Sequence, residues 1–101
     1  MIKHINGNEL DNIIKNNERV VVDFFANWCQ PCRMLGQGLE DLSEKHPEIV
    51  VAKIDVDENE ETFAQFGEQS IPLLCFFKNG KLSKKVVGYI PADKVWSIYN
   101  E

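Results

Sequence analysis

No run in this 101-residue chain approaches the roughly 20 consecutive apolar residues needed to span a bilayer. The opening segment Met1–Asn8 is too polar to contain the apolar stretch of a secretory signal, so the expectation is a cytoplasmic protein with no membrane partner. Positive charge is in deficit: 11 Lys and Arg stand against 16 Asp and Glu, a net charge of −5. With no basic stripe to neutralise phosphates, nucleic acid is excluded as a partner on the same grounds as an anionic lipid surface. Cysteine is scarce too, since three residues are too few, and odd in number, for a disulfide-stapled secreted scaffold. Repeats, low-complexity tracts and Pro/Gly/Ser-rich linkers are all missing, so residues 1–101 are expected to form one domain. The 44% apolar and 27% charged content is that of an ordinary globular protein, with material for one core but not two.

What is present is an alternation of element types. Leu10, Ile13 and Ile14 share a helical face, with Asn8 as a cap. Val20-Val21-Val22-Asp23-Phe24-Phe25-Ala26 is a nearly unbroken apolar run, as expected of a strand buried on both faces. Pro31 suits the first turn of a helix whose apolar stripe is Leu35, Leu39 and Leu42 and which ends before Pro47. A strand is expected over Ile49–Val56, then a helical segment over Glu60–Phe66 with Phe63 and Phe66 on one side. Leu73–Phe77 and Leu82–Val87 flank Asn79-Gly80, a strong hairpin signal. Val95, Ile98 and Tyr99 mark a closing helix. This order implies an α/β fold with a central mixed β-sheet and helices on both faces.

The chemistry concentrates in Trp28-Cys29-Gln30-Pro31-Cys32, between the buried strand and the helix. At the first turn of a helix, residues three apart are neighbours, so the two sulfurs can meet at a Cα separation of roughly 4.4–6.8 Å. Unpaired N–H groups and the positive end of the helix dipole stabilise a thiolate there, most of all on Cys29 at the exposed end. Cys29 is therefore expected to attack a disulfide and Cys32 to resolve the mixed disulfide. Other readings of such a pair are half of a zinc site, a structural disulfide and two unreactive cysteines. Zinc needs two further ligands, and Cys75, His4 and His46 show no matching spacing, so no metal is expected. A three-residue loop constrains an unfolded chain little, which counts against a structural bond.

Asp23, the one acid in a seven-residue apolar run, calls for a reason. Burial would raise its pKa and fit it to accept a proton from Cys32; the alternative is a strand-end acid that reaches solvent. Lys53, lodged in its own strand, either pairs with Asp23 across the sheet and tunes it or lies exposed on a strand face. Trp28 either covers the dithiol and offers a client an apolar surface or simply packs. Cys75, in an apolar strand, is expected to be an inert core residue. His4 and His46 stand alone among polar neighbours, and Asp55, Asp57 and Glu58 form an acidic run; both features read as solvated surface.

Val22-Asp23-Phe24-Phe25-Ala26-Asn27-Trp28-Cys29-Gln30-Pro31-Cys32-Arg33-Met34-Leu35 closely resembles the active-site segment of the thioredoxin family. The likeness continues through Val51–Asn59, Ser70-Ile71-Pro72, Phe76–Gly80 and Gly88, in order and almost end to end. It implies a thioredoxin fold in which Ile71-Pro72 is a cis peptide beside the dithiol, with a backbone that pairs with an extended client. It places Trp28, Ile71, Pro72 and Gly88 at the client and gives Cys29, Cys32 and Asp23 the chemistry. It also implies a general protein-disulfide reductase without a cofactor of its own, acting as a monomer on disulfide-containing clients and recharged by a thioredoxin reductase. A redox partner dedicated to one client, or a non-catalytic interaction module on the same fold, is the alternative; a module would be expected to lack a cysteine, Pro72 or Asp23. The chain departs from the family at Gln30, where glycine is usual, at Gln37, where many members have a helix-kinking proline, and at Leu73, where threonine is common. With Pro31, Gln30 lies in the part of the motif that tunes redox potential. Gly36 and Gly38 predict a softer or straighter active-site helix, since each costs about 1 kcal/mol relative to Ala.

Overall fold

A computed structural model describes residues 1–101. Five strands and four helices follow in the order β1 (Ile2–His4), α1 (Leu10–Lys15), β2 (Arg19–Phe25), α2 (Gln30–Lys45), β3 (Val51–Asp55), α3 (Glu60–Ala64), β4 (Leu73–Lys78), β5 (Lys81–Val87) and α4 (Ala92–Tyr99). One sheet runs β1-β3-β2-β4-β5. The β3 pairings with β1 and β2 are parallel, whereas β2–β4 and β4–β5 are antiparallel, so the expected mixed sheet is present. No helix is long and apolar enough to cross a membrane.

Because successive strand residues point to opposite faces, the apolar run of β2 serves two cores at once. Val20, Val22 and Phe24 face a layer built by Leu10 and Ile14 of α1 and by Phe63 and Phe66 in and after α3, with the Phe24 ring centred 5.4 and 5.0 Å from those two phenylalanines. Val21 faces the opposite layer, where Leu35, Leu39 and Leu42 of α2 meet Val95, Ile98 and Tyr99 of α4. Asp23 lies on this second face, in the middle of β2, and is fully buried. At the outer edge, β5 is exposed for nearly all of its length and carries Lys81, Lys84 and Lys85.

The hairpin turns at Asn79 (φ 53°) and Gly80 (φ 81°), the two positive φ values that a tight primed turn requires. Three local expectations are corrected. The polar opening segment contains β1, whose edge pairing with β3 is completed by Val51 N–H donating to Met1 O (2.8 Å) and Ile5 N–H to Lys53 O (2.9 Å). Asn8 is not a cap: it lies inside a 3₁₀ turn, Gly7–Glu9, that precedes α1, and it is Asn6 N–H that donates to Glu9 Oε2 at 2.8 Å. The two histidines do not stand among polar neighbours alone, because His46 stacks on Trp96 with ring centres 3.9 Å apart and His4 meets the Phe25 ring edge-on at 5.9 Å.

Helix α2 runs unbroken for 16 residues through both of its glycines. A Cβ on Gly38 would lie 3.6 Å from Ala92 Cβ, an ordinary contact, while one on Gly36 would lie 3.2 Å from Lys53 Nζ. Gly38→Ala should therefore raise unfolding stability by about 1 kcal/mol in urea titrations, through helix propensity alone. Gly36→Ala should gain less, because its methyl group presses on the Lys53 ammonium group.

Candidate active site

Strand β2 ends at Phe25, and the chain then turns through Asn27 and Trp28 into α2. Cys29 is the extended N-cap residue of that helix (φ −94°, ψ 111°), and its Sγ accepts a hydrogen bond from Cys32 N–H at 3.3 Å. Pro31 sits in the first turn, where a missing N–H costs no helical bond. The two sulfurs are joined in a disulfide, with the Cα atoms 5.2 Å apart, and both residues are nearly covered, at 5% and 2% exposure. The redox pair thus lies at the positive end of a long helix, among its free N–H groups.

Behind it, the register of three adjacent strands sets His4 of β1 opposite Lys53 of β3, and Lys53 opposite Asp23 of β2. Lys53 Nζ lies 3.1 Å from Asp23 Oδ2 and 4.8 Å above the centre of the Phe25 ring. Asp23 Oδ1 is buried without a hydrogen-bond partner. Burial pushes the Asp23 carboxyl above the ordinary carboxylate range, against the opposing pull of Lys53 and, more weakly, His4. Of the two sequence-based readings of Asp23 and of Lys53, the structure thus gives the buried acid and the paired lysine. A groove lined by Cys32, Phe25, Gly36, Lys53 and His4 runs from the dithiol to Lys53, with Asp23 buried beneath it.

Trp28 points the other way. Its indole is 69% exposed and is anchored by Nε1 donating to Asp57 Oδ2 at 2.9 Å. Asp57 is itself held in the turn after β3, its N–H donating to Asp55 Oδ1 at 2.9 Å, so two members of the acidic run have structural partners and are not merely solvated. Ile71-Pro72 is cis. Pro72 O accepts from Gly88 N–H at 2.8 Å, and Gly88 has a φ of +97°, which a side chain would strain. No loop or turn hydrogen bond uses the backbone of Ile71. Gln30 is exposed and accepts from Arg33 Nη2. Sequence patterns read Asp57 only as solvated surface and Gly36 only as a softening of α2, and gave no sign of the exposed apolar side chains Met34, Val87 and Tyr89, because each takes its meaning from a segment distant in the chain or from its surface setting. No group of three or more His, Cys, Asp or Glu side chains is arranged to hold a metal ion.

A dithiol–disulfide pair at the N-terminus of a helix, with a buried acid in the preceding strand, defines a thiol–disulfide exchange site. The family model described as Thioredoxin matches residues 1–101. A thioredoxin of Mycoplasmoides gallisepticum is 40% identical over 95 residues, covering 93% of this chain and 95% of the relative. One from Alicyclobacillus acidocaldarius is 47% identical over 83 residues, covering 81% and 79%. Among solved structures, a mutant thioredoxin from Halobacterium salinarum superposes with a TM-score of 0.91 at 36% identity, covering 98% of this chain and 88% of its own. A chain from a study of the thiol resolving mechanism in yeast mitochondrial 1-Cys peroxiredoxin via glutathione/thioredoxin systems superposes with a TM-score of 0.87 at 31% identity, covering 99% and 95%. The chain belongs to the thioredoxin family, whose members are protein thiol–disulfide oxidoreductases.

Two outcomes follow from the titration of buried groups. Because folding raises the Asp23 pKa, the folded chain binds its proton more tightly than the unfolded chain, so stability falls as pH rises from the ordinary carboxyl range through the folded-state value. Asp23→Asn should remove that pH dependence: whatever its stability relative to the unmutated chain near pH 3, the difference should move in the variant's favour by pH 8 in matched denaturant titrations. Cys75 is fully buried, and desolvation pushes its thiol up to about 12. A thiol count on the reduced protein at pH 8 should therefore give two reactive groups when folded and three in denaturant.

Proposed function

We propose that this chain works in the reducing direction, as a single domain spanning residues 1–101 that carries electrons to disulfide-containing client proteins in the cytoplasm. The observation that carries the reading is the bonded Cys29–Cys32 pair at the N-terminus of α2, with one groove running from Cys32 to Lys53, the partner of the buried Asp23. In the reduced protein, the Cys29 thiolate attacks a client disulfide, forming a Cys29–client bond and releasing one client thiolate. Cys32 then gives its proton to the Asp23 carboxylate and attacks Cys29 Sγ. The mixed disulfide breaks, the second client sulfur leaves as thiolate, and the Cys29–Cys32 bond is restored. A thioredoxin reductase returns two electrons to that bond before the next cycle.

Client binding follows from what stands around the dithiol. The exposed Trp28 ring offers apolar area. The unused backbone of Ile71 is suited to pair with an extended segment as an added strand, with Pro72 and Gly88 fixed together beside it. Gln30 and Pro31 set the potential of the pair, and Lys53 sets the proton affinity of Asp23. The protein acts as a monomer.

With a disulfide-bonded protein as substrate and dithiothreitol as electron source, Cys29→Ser should reduce turnover to the uncatalysed rate. Cys32→Ser should accumulate a mixed disulfide on Cys29, detected by mass spectrometry. Asp23→Asn should slow turnover roughly tenfold to hundredfold. Equilibration with glutathione should place the potential in or below the lower half of the range of about −220 to −320 mV. A value near about −120 mV, in the region of disulfide-forming enzymes, would overturn the reducing direction.

A further inference from the structure

Arg33 stands four residues after Cys29, on the same face of α2. Side chains on a helix lean toward its N-terminus, so the guanidinium returns to the turn that holds the nucleophile. It is fixed there twice, with Nη1 donating to Asn27 O at 2.8 Å and Nη2 donating to Gln30 Oε1. The backbone N–H of Arg33 meanwhile donates to Cys29 O at 3.2 Å. One residue therefore grips the chain before, at and after Cys29. Two of its acceptors are backbone carbonyls that any sequence supplies. The third is a side-chain amide at the one position between the cysteines where a glycine would supply none.

We propose that Arg33 is a positioning residue for the nucleophile, locked over the dithiol turn by Gln30, and that the pair holds a permanent positive charge beside the Cys29 sulfur. The inference rests on the reading of Cys29 as the attacking thiol. A fixed guanidinium acts on a thiolate in the same sense as the helix N-terminus. It favours the ionised dithiol over the neutral disulfide, so it raises the thiolate fraction near neutral pH and draws the couple toward a more oxidising potential. Without Gln30 the guanidinium keeps only one side-chain anchor and spends more of its time in solvent, away from the sulfur and more strongly screened. Lysine is a poor substitute, because a single ammonium group cannot fork to two acceptors as a guanidinium does.

The test is a double-mutant cycle on the reduced full-length protein: unmutated, Gln30→Gly, Arg33→Ala and the double variant, with Arg33→Lys as the conservative comparison. The rate of iodoacetamide alkylation at Cys29 is followed against pH, with the alkylated residue located by mass spectrometry, and the reduction potential is measured against glutathione. Arg33→Ala and Gln30→Gly should each lower the alkylation rate at pH 6 roughly two- to fivefold, the factor an exposed charge supplies, and shift the potential in the reducing direction. The double variant should fall no further than Arg33→Ala alone, and Arg33→Lys should lie between. Rates that are unchanged, or that fall by the product of the two single effects, would overturn the proposal. Alkylation of Cys32 instead of Cys29 in the unmutated protein would overturn the assignment of the nucleophile itself, and it would show before any variant was made.

Discussion

The constraint around which the active-site half of this structure is arranged is an ion pair placed where a sheet would normally hold only apolar side chains. Asp23 lies in the central strand with both faces covered, and Lys53 on the adjacent strand is the one residue in ion-pair contact with it. Taking a carboxylate out of water costs several kcal/mol even after relaxation, so the pair is not there for stability. It requires a parallel register that sets residue 23 opposite residue 53. It also requires a helix above it that leaves space for the ammonium group, and Gly36 supplies that space. The helix that bears the dithiol is thus fitted to the ion pair beneath it, and a residue chosen for its absence of side chain links the two.

This arrangement makes the two carboxylate oxygens of Asp23 unequal. Oδ2 is committed to Lys53, while Oδ1 has no partner. A buried acceptor left unmatched is a standing free-energy penalty, and such penalties persist where the surrounding fold enforces them and the chemistry makes use of them. The apolar residues on either side, Val22 and Phe24, belong to the opposite core layer, which anchors the strand whether or not the carboxyl carries a proton.

Much of this was legible in the order of residues, wherever the signal was local. The run Val20–Ala26, the stripe Leu35, Leu39 and Leu42, the Asn79-Gly80 turn and the paired cysteines each express a rule that acts within a few positions, and each stands where that rule puts it. The burial of Asp23 was legible as well, because an acid in an apolar run is a local contradiction. What escaped depends on partners far away in sequence. β1 has three residues, only Ile2 of them partly covered, and becomes a strand because β3 offers it an edge. Asp57 reads as one more surface acid until the fold brings it to the Trp28 indole, 29 residues away in the chain. Asn8 gives no cap because a 3₁₀ turn precedes α1 and puts Glu9 at the helix's N-cap position, with Gly7 pressed so close to Thr62 that no side chain fits. Periodicity cannot report such a contact, since it belongs to two segments at once.

The lysines of β5 have a consequence for crowded solution. A fully formed sheet with a bare edge is a template, and any extended chain can lengthen it by one strand. Here the bare edge presents Lys81 and Lys84, while Lys85 is held to Glu68 at 3.0 Å, so two copies aligned edge to edge would bring two ammonium groups from each into one seam. The loop backbone at Ile71 is left without a hydrogen-bond partner, while the far border of the sheet resists zippering. Strand addition, the step that nucleates fibres, is discouraged on the side where the fold would otherwise invite it.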